Sequence, residues 1–218
     1  MKEILKFLLL FLGVYAIVIF LQSFHPVQSA IQYSFRSSIE LFLKASFPKA
    51  YIETQNYQDA AGNFDSNIFY LRYGNPEVIQ AEHDFARKNQ MKEYKISSHS
   101  IQLYIFQLFT VPLAFLIALF VASPMLWKPK LKYLLLSLTI MSLIILLKVN
   151  LLTLYNMNIS KIGVYTLATE DLTWVFRLIS MLTLGFSIMI CFILWLLFGF
   201  RNSRFALIVN SFLKSLQT

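Results

Sequence analysis

Residues 134–154 have the sequence LLLSLTIMSLIILLKVNLLTL, in which Lys148 is the only charged residue. A helix needs about 20 mostly apolar residues to cross the ~30 Å hydrocarbon core of a bilayer. In lipid, a helix also satisfies its backbone hydrogen bonds internally, which an irregular segment cannot do. The stretch therefore predicts a transmembrane helix from Leu134 to Leu154.

Three other apolar blocks have the same character. They are Ile4–Leu21, Ile101–Ala122 and, approximately, Leu172–Phe200. Hydrophobic residues make up 57% of the chain and charged residues 14%, whereas an average soluble domain is about half apolar and a quarter charged. We therefore predict an α-helical integral membrane protein with four transmembrane helices and a small α+β extracytoplasmic domain between helices 1 and 2.

The blocks divide the chain into four predicted parts. Residues 1–22 form an N-terminal transmembrane anchor, 23–100 an extracytoplasmic α+β domain, 101–200 a unit of three transmembrane helices, and 201–218 a cytoplasmic amphipathic tail. A cleaved signal peptide is the alternative for the first part, since Val27 and Ser29 form a weak small-residue pair. We expect a retained anchor.

The distribution of cations predicts the orientation. The link Trp127–Lys132 contains three lysines and no acid, and the tail contains Arg201, Arg204 and Lys214, again with no acid. Cytoplasmic loops of membrane proteins carry an excess of Lys and Arg. Both termini and the lysine link are therefore predicted to be cytoplasmic, and the segment Gln22–Ser100 is predicted to be extracytoplasmic.

The extracytoplasmic segment has a recognisable secondary-structure pattern. Apolar residues recur every three or four positions over Val27–Ser46, which predicts an amphipathic helix. This helix lies either on the outer membrane surface or against its own domain. A second helix is predicted to begin at the cap residue Asn75. Strands are predicted at Tyr51–Tyr57, Asn67–Tyr73 and Glu93–Ser97.

Few residues have side chains in a pattern that is typical of catalysis or of metal or phosphate binding. Cys191 is the single cysteine, and it lies deep in the fourth predicted helix, away from the three histidines of the outer segment. The histidines lack metal-ligand spacing, and no glycine-rich phosphate loop is present. We therefore expect no catalytic residue, no metal site and no cofactor. The net charge of +8 is spread over helix ends, so no nucleic-acid partner is expected.

Two cations inside predicted spans are candidate site residues. Lys148 lies in the third predicted helix and Arg177 in the fourth, and intramembrane charges are rare unless they have a function. They could form one site for a lipid phosphate or a partner's carboxylate. Alternatively, they extend towards the head groups or pair with Glu170 and Asp171. Five aromatic residues are predicted to lie at the membrane interface: Phe35, Phe42, Trp127, Trp174 and Trp195.

Several short segments carry a resemblance to a known family. They are LFLKASFP at 41–48, VPLAFL at 111–116, ASP at 122–124 and ILLK at 145–148. In these segments and in its layout the chain resembles the small membrane proteins associated with exosortases. The resemblance implies a bacterial inner-membrane accessory of a transpeptidase-like sorting enzyme. Exosortases use a Cys, Arg and His constellation, to which no residue of this chain can be matched.

The function predicted on these grounds is that of a non-enzymatic accessory or scaffold subunit in a bacterial cell-envelope sorting or export system. Its partners would be membrane lipids and a larger membrane protein. One alternative is a membrane enzyme or transporter component that handles a lipid-linked or anionic substrate near Lys148 and Arg177. Another is an assembly factor for a surface appendage.

The predicted orientation can be tested by cysteine labelling. In a Cys191→Ser background, Gly62→Cys should react with a membrane-impermeant maleimide added to intact cells, because residue 62 is predicted to lie outside. Pro129→Cys should react only after the cells are permeabilised. Labelling of position 129 in intact cells would contradict the orientation.

Overall fold

The computed structural model describes residues 2–58, 62, 64–91, 94 and 96–200. The predicted amphipathic tail at 201–218 lies outside the described residues. The chain is mostly helical, with one small three-stranded sheet. It divides into two compact units. Unit 1 comprises Met1–Val27, Phe106–Ile145 and Leu182–Thr218, and unit 2 comprises Gln28–Ile105 and Leu146–Met181.

Seven α-helices and three strands are described. The strands are β1 (Tyr51–Gln58), β2 (Phe64–Gly74) and β3 (His99–Tyr104). The helices are α1 (Lys2–Leu21), α2 (His25–Ser46), α3 (Pro76–Lys88), α4 (Val111–Ala122), α5 (Trp127–Ile159), α6 (Thr169–Met181) and α7 (Leu184–Leu194). Short π-helical segments precede α4 at Phe106–Thr110 and follow α7 at Trp195–Phe200.

Two of the described helices, α1 and α5, are long and apolar enough to cross a membrane. A third span is counted if α6 and α7, which are separated by a break, together form one span. The apolar helix Phe106–Ala122 is shorter than α1 and α5. The first and third predicted spans thus fall on single helices. The prediction of four spans in all stays a prediction.

The second predicted span begins too early. Its first residues, Ile101–Tyr104, belong to β3, which pairs antiparallel with β2. The sequence IQLYI at 101–105 alternates apolar and polar residues, a period that suits a strand with one buried face. Leu103 is accordingly buried, while its neighbours Gln102 and Tyr104 are exposed. The helical part is therefore confined to Phe106–Ala122.

The fourth predicted span is interrupted. Helix α6 ends at Met181 and α7 begins at Leu184. Thr183 forms the N-cap of α7, since its hydroxyl accepts a hydrogen bond from the Phe186 N–H at 3.4 Å. A threonine cap satisfies a backbone donor that would otherwise have no partner at a helix start.

Helix α5 is longer than the predicted third span. It has 33 residues and begins at Trp127, so the lysine link predicted as a loop forms its first turns. Pro129 is compatible with this position, because the first turn of a helix needs no backbone donor from it.

The core of unit 1 forms where α1, α4 and α7 meet. The Phe115 ring of α4 makes edge contacts with the rings of Phe11 and Tyr15 in α1. Ala114 and Ala118 of α4 are buried, and small residues of this kind allow helix backbones to approach closely. On the α7 side, the Cys191 thiol donates a hydrogen bond to the Pro112 carbonyl at 3.3 Å.

The core of unit 2 forms between α2 and one face of the sheet, whose strand order is β1-β2-β3. The buried residues of α2 are Phe35, Ile39 and Leu43, and the Phe35 ring makes an edge contact with Phe69 of β2 at 6.3 Å. Of the two alternatives for the amphipathic helix, the structure shows packing against its own domain.

The structure confirms two of the three predicted strands and the predicted helix start in unit 2. Strands β1 and β2 contain the two predicted strands. The helix start at Asn75 is confirmed, since its side chain accepts a hydrogen bond from the Glu77 N–H at 2.9 Å. The third predicted strand, Glu93–Ser97, is wrong: its described residues lie outside any strand, and the third strand is β3.

Glu40 links α2 to β1 through polar contacts. Its carboxylate accepts a hydrogen bond from Lys44 at 2.6 Å, one from the Thr54 N–H at 3.2 Å and one from the Thr54 hydroxyl. Desolvation by burial, the largest single influence, raises the pKa of Glu40. The hydrogen bonds from Lys44 and Thr54 oppose it, and together with the charge of Lys44 they bring the pKa below its ordinary value.

This network predicts an acid-dependent part of the stability. Because the folded-state pKa is lowered, the contribution of Glu40 is fully present above its unfolded pKa and is lost as the pH falls through the folded value. Glu40→Gln should destabilise the protein by ~1 kcal/mol at pH 7, and the difference from wild type should shrink as the pH falls below the ordinary pKa of 4.5. Thermal unfolding followed by circular dichroism measures this, with the exposed Asp84→Asn as a control. A pH-independent effect of Glu40→Gln would contradict it.

Candidate functional site

The two cations of the predicted anionic site both lie in unit 2. Lys148 is half-buried in α5, and Arg177 is exposed on α6. The Arg177 guanidinium lies 5.2 Å from the centroid of the Trp174 ring, within the range of a cation–π contact. The aromatic ring, rather than a carboxylate, is thus the contact of Arg177 that the structure records.

The structure does not bring Lys148 and Arg177 into a shared contact. Phe176, next to Arg177, packs its ring on Tyr155 of α5 at 5.6 Å. Tyr155 is seven residues beyond Lys148, a rise of about 10 Å along the helix. Among the described residues, no ion pair joins either cation to Glu170 or Asp171. The single anionic site formed by both cations stays a prediction.

The five predicted membrane-interface residues lie in different environments. Trp127 and Trp174 are 74% and 62% exposed, and Phe42 is half-buried. Phe35, in contrast, is 4% exposed. It is a core residue of unit 2 and is therefore not available to a membrane surface.

Trp195 is also an interior residue. It is 6% exposed, and its indole N–H donates a hydrogen bond to the Ser123 hydroxyl at 2.6 Å. Its ring stacks on Phe7 at 5.5 Å. A tryptophan whose polar N–H has a buried protein partner acts as a packing residue here.

A polar cluster joins the segment Gln28–Ile105 to the α5–α6 loop within unit 2. The Tyr73 hydroxyl lies 2.9 Å from the Ser160 hydroxyl, and the Asn75 amide donates to the Ile162 carbonyl at 3.3 Å. The Tyr165 hydroxyl accepts a hydrogen bond from the Lys49 N–H at 3.2 Å. The cluster thus connects the two chain segments that make up unit 2.

The second face of the sheet carries aromatic and polar side chains. Directly paired residues project from the same face of an antiparallel sheet. Glu53 and Gln55 pair with Arg72 and Tyr70, and Tyr70 in turn pairs with Gln102. These side chains are all half-buried or exposed. We name this surface the open sheet face. Its members are Glu53, Gln55, Tyr70, Arg72, Gln102 and Tyr104.

Hydrogen bonds hold the side chains of the open sheet face in place. The Tyr70 hydroxyl accepts a hydrogen bond from the Gln102 amide at 3.3 Å, and the Tyr104 hydroxyl donates to the Gln102 carbonyl oxygen at the same distance. The Tyr70 ring also packs against Tyr57, with centroids 5.2 Å apart. A row of fixed rings with polar tips can bind a protein surface at a small cost in side-chain entropy.

The phenol of Tyr51 is held neutral at the edge of this face. It donates a 2.5 Å hydrogen bond to the Glu53 carboxylate. Burial first, and then this hydrogen bond and the negative charge of Glu53, raise the pKa of Tyr51 to about 12. The phenol therefore stays protonated across the physiological pH range and remains a hydrogen-bond donor to Glu53.

The open sheet face is not evident from the amino-acid sequence. The signal for β1 was present, because Tyr51, Glu53, Gln55 and Tyr57 alternate with the residues of the other face. The signal for β3 was hidden by the high apolar content of 101–122, which suggested a membrane span. Without β3, Tyr70 and Gln102 could not be placed together.

The described residues contain no group of three or more His, Cys, Asp or Glu side chains that could hold a metal ion. No family model matches the chain, and neither a curated protein nor a solved structure matches it.

Proposed function

We propose that the protein is a non-enzymatic accessory or scaffold subunit of a bacterial cell-envelope protein sorting or export system. In this proposal it is a multi-pass protein of the inner membrane with four spanning segments and cytoplasmic termini. Its extracytoplasmic domain binds a larger membrane protein. The resemblance to exosortase-associated proteins in the segments around 41–48 and 111–116 suggests the class of that system.

The observation that carries the proposal is the open sheet face. Tyrosine is enriched in protein–protein interfaces, and few residues there supply most of the binding energy. Tyr70 stands at the centre of the face, flanked by Tyr57 and Gln102. One face of the sheet holds the domain together through α2, so the other is available to a partner without disturbing the core.

The apolar helices support the membrane part of the proposal. None of the 18 residues Ile4–Leu21 is buried inside the protein, so α1 presents apolar side chains over most of its surface. Lipid or a partner helix would cover them. The helix Phe106–Ala122 is short for a span, and a short hydrophobic segment crosses a membrane at modest cost when the bilayer thins or helices associate.

Partner recovery tests the proposal directly. The full-length protein, purified by an affinity tag from its own cells in mild detergent, should retain a larger membrane protein. Tyr70→Ala should lower that recovery about tenfold or more, as expected for a central interface aromatic. Tyr33→Ala removes an exposed tyrosine from α2 and is the matched control.

Equal recovery with both variants would show that the open sheet face is not the contact surface. Circular dichroism spectra should be the same for both variants, because neither side chain belongs to the buried core. A spectral change confined to Tyr70→Ala would mean that recovery was lost through misfolding. Gln102→Ala, which removes an exposed partner of Tyr70, would then replace it.

A second candidate function is the handling of an anionic or lipid-linked substrate near Lys148 and Arg177. It is favoured by Lys148, which is half-buried in an apolar helix and has no ion pair among the described residues. An anionic ligand stabilises a cation in such surroundings, because its attraction to the cation offsets the cost of removing the charge from water.

This second function predicts the behaviour of Lys148→Met and Arg177→Met. Each change should reduce the anionic lipid or partner retained by the purified protein, as measured by native mass spectrometry. The double change should be less than additive, since both residues would serve one site. Unchanged occupancy in the double variant would remove this candidate and favour extension of both side chains to the head groups.

A further inference from the structure

Unit 1 contains a cavity of about 290 Å³ between α1, the end of α4 and the beginning of α5. Its apolar wall includes Phe7 and Leu10 of α1 and Val121 of α4, and its polar groups include Lys6 and Lys130. Its volume is at the lower end of the ~300–1,000 Å³ typical of ligand pockets. The cavity therefore suits a head group rather than an entire lipid.

Lys130 is the buried charge of this cavity. Only 7% of the residue is exposed. Its ammonium donates one hydrogen bond to the Val121 carbonyl at 3.0 Å and lies 4.8 Å from the centroid of the Trp127 ring. An ammonium has three donors, so two remain for a ligand.

Lys6 supplies a second ammonium at the exposed rim. Among the side chains that the structure describes, which begin at Ile4, no carboxylate lies at ion-pair distance from Lys130. Two cations that share a small cavity repel each other, and the buried one has also lost hydration. An anion between them would relieve both costs.

We infer that this cavity binds the phosphate of an anionic phospholipid head group, with Lys6 and Lys130 as its ligands. Phe7 and Leu10 would contact the start of the acyl chains. The inference goes beyond the proposed function, because the open sheet face lies in unit 2 and none of its residues lines this cavity.

The surroundings favour a lipid over free phosphate. Trp127 lines the cavity and is largely exposed, as is its neighbour Leu126. Tryptophan is enriched at the head-group level of membranes. The charge pattern also predicts that Trp127–Lys132 is cytoplasmic, and anionic lipids give the cytoplasmic leaflet a negative surface potential.

Lipid retention by the full-length protein tests the inference. The protein is reconstituted in nanodiscs of phosphatidylglycerol and phosphatidylcholine, released into detergent and weighed by native mass spectrometry. Wild type should retain phosphatidylglycerol selectively. Lys6→Gln and Lys130→Gln should each lower the retained amount about fivefold, as expected for one lysine near an anionic surface.

Two features keep the test specific. Glutamine at 130 can still donate a hydrogen bond to the Val121 carbonyl, so the end of α4 should remain intact. Lys128→Gln removes an exposed lysine from the same helical turn that does not line the cavity, and it should retain as much phosphatidylglycerol as wild type.

Three results would overturn the inference. The first is equal retention of both lipids by wild type. The second is a loss with Lys128→Gln as large as with Lys6→Gln, which would indicate nonspecific attraction to basic residues. The third is displacement of the lipid by millimolar inorganic phosphate, which would assign the cavity to the free ion instead.

Discussion

The need to pair backbone polar groups inside an apolar chain governs this structure. Long apolar segments meet it as helices, and every interruption needs a replacement partner. At the end of α4, the Val121 carbonyl receives its hydrogen bond from the Lys130 ammonium. At the start of α7, the Thr183 hydroxyl accepts from a backbone N–H. Before α4, residues 101–104 pair with β2 instead of forming a helix.

The parts of the fold that local sequence determines were predictable. Helices α1 and α5 follow from long apolar runs, and the Asn75 cap follows from a short local pattern. The strand β3 was missed because apolar content alone does not separate a helix from a strand, and the period-two alternation at 101–105 was outweighed by the apolar run after it. The break at Thr183 was missed because one threonine in an apolar run is compatible with either a cap or a continuous helix.

The candidate site was less predictable than the fold. Phe35 and Trp195 have the composition and position of interface residues, but their exposure depends on what packs against them, here Phe69 and Phe7. The open sheet face and the cavity at Lys130 are formed by residues distant in the sequence. Neither can be seen until the strand pairing and the helix contacts are known.

The length of α5 limits how it can sit in a bilayer. Its 33 residues extend for ~50 Å, against ~30 Å of hydrocarbon. Transmembrane helices tilt by at most ~40°, and at that angle the crossing uses about 39 Å of helix. If α5 crosses a bilayer, roughly two turns therefore stand in the head groups or in water. In α5 the lysine-rich first turns and the asparagine-containing last turns are the parts that water can solvate.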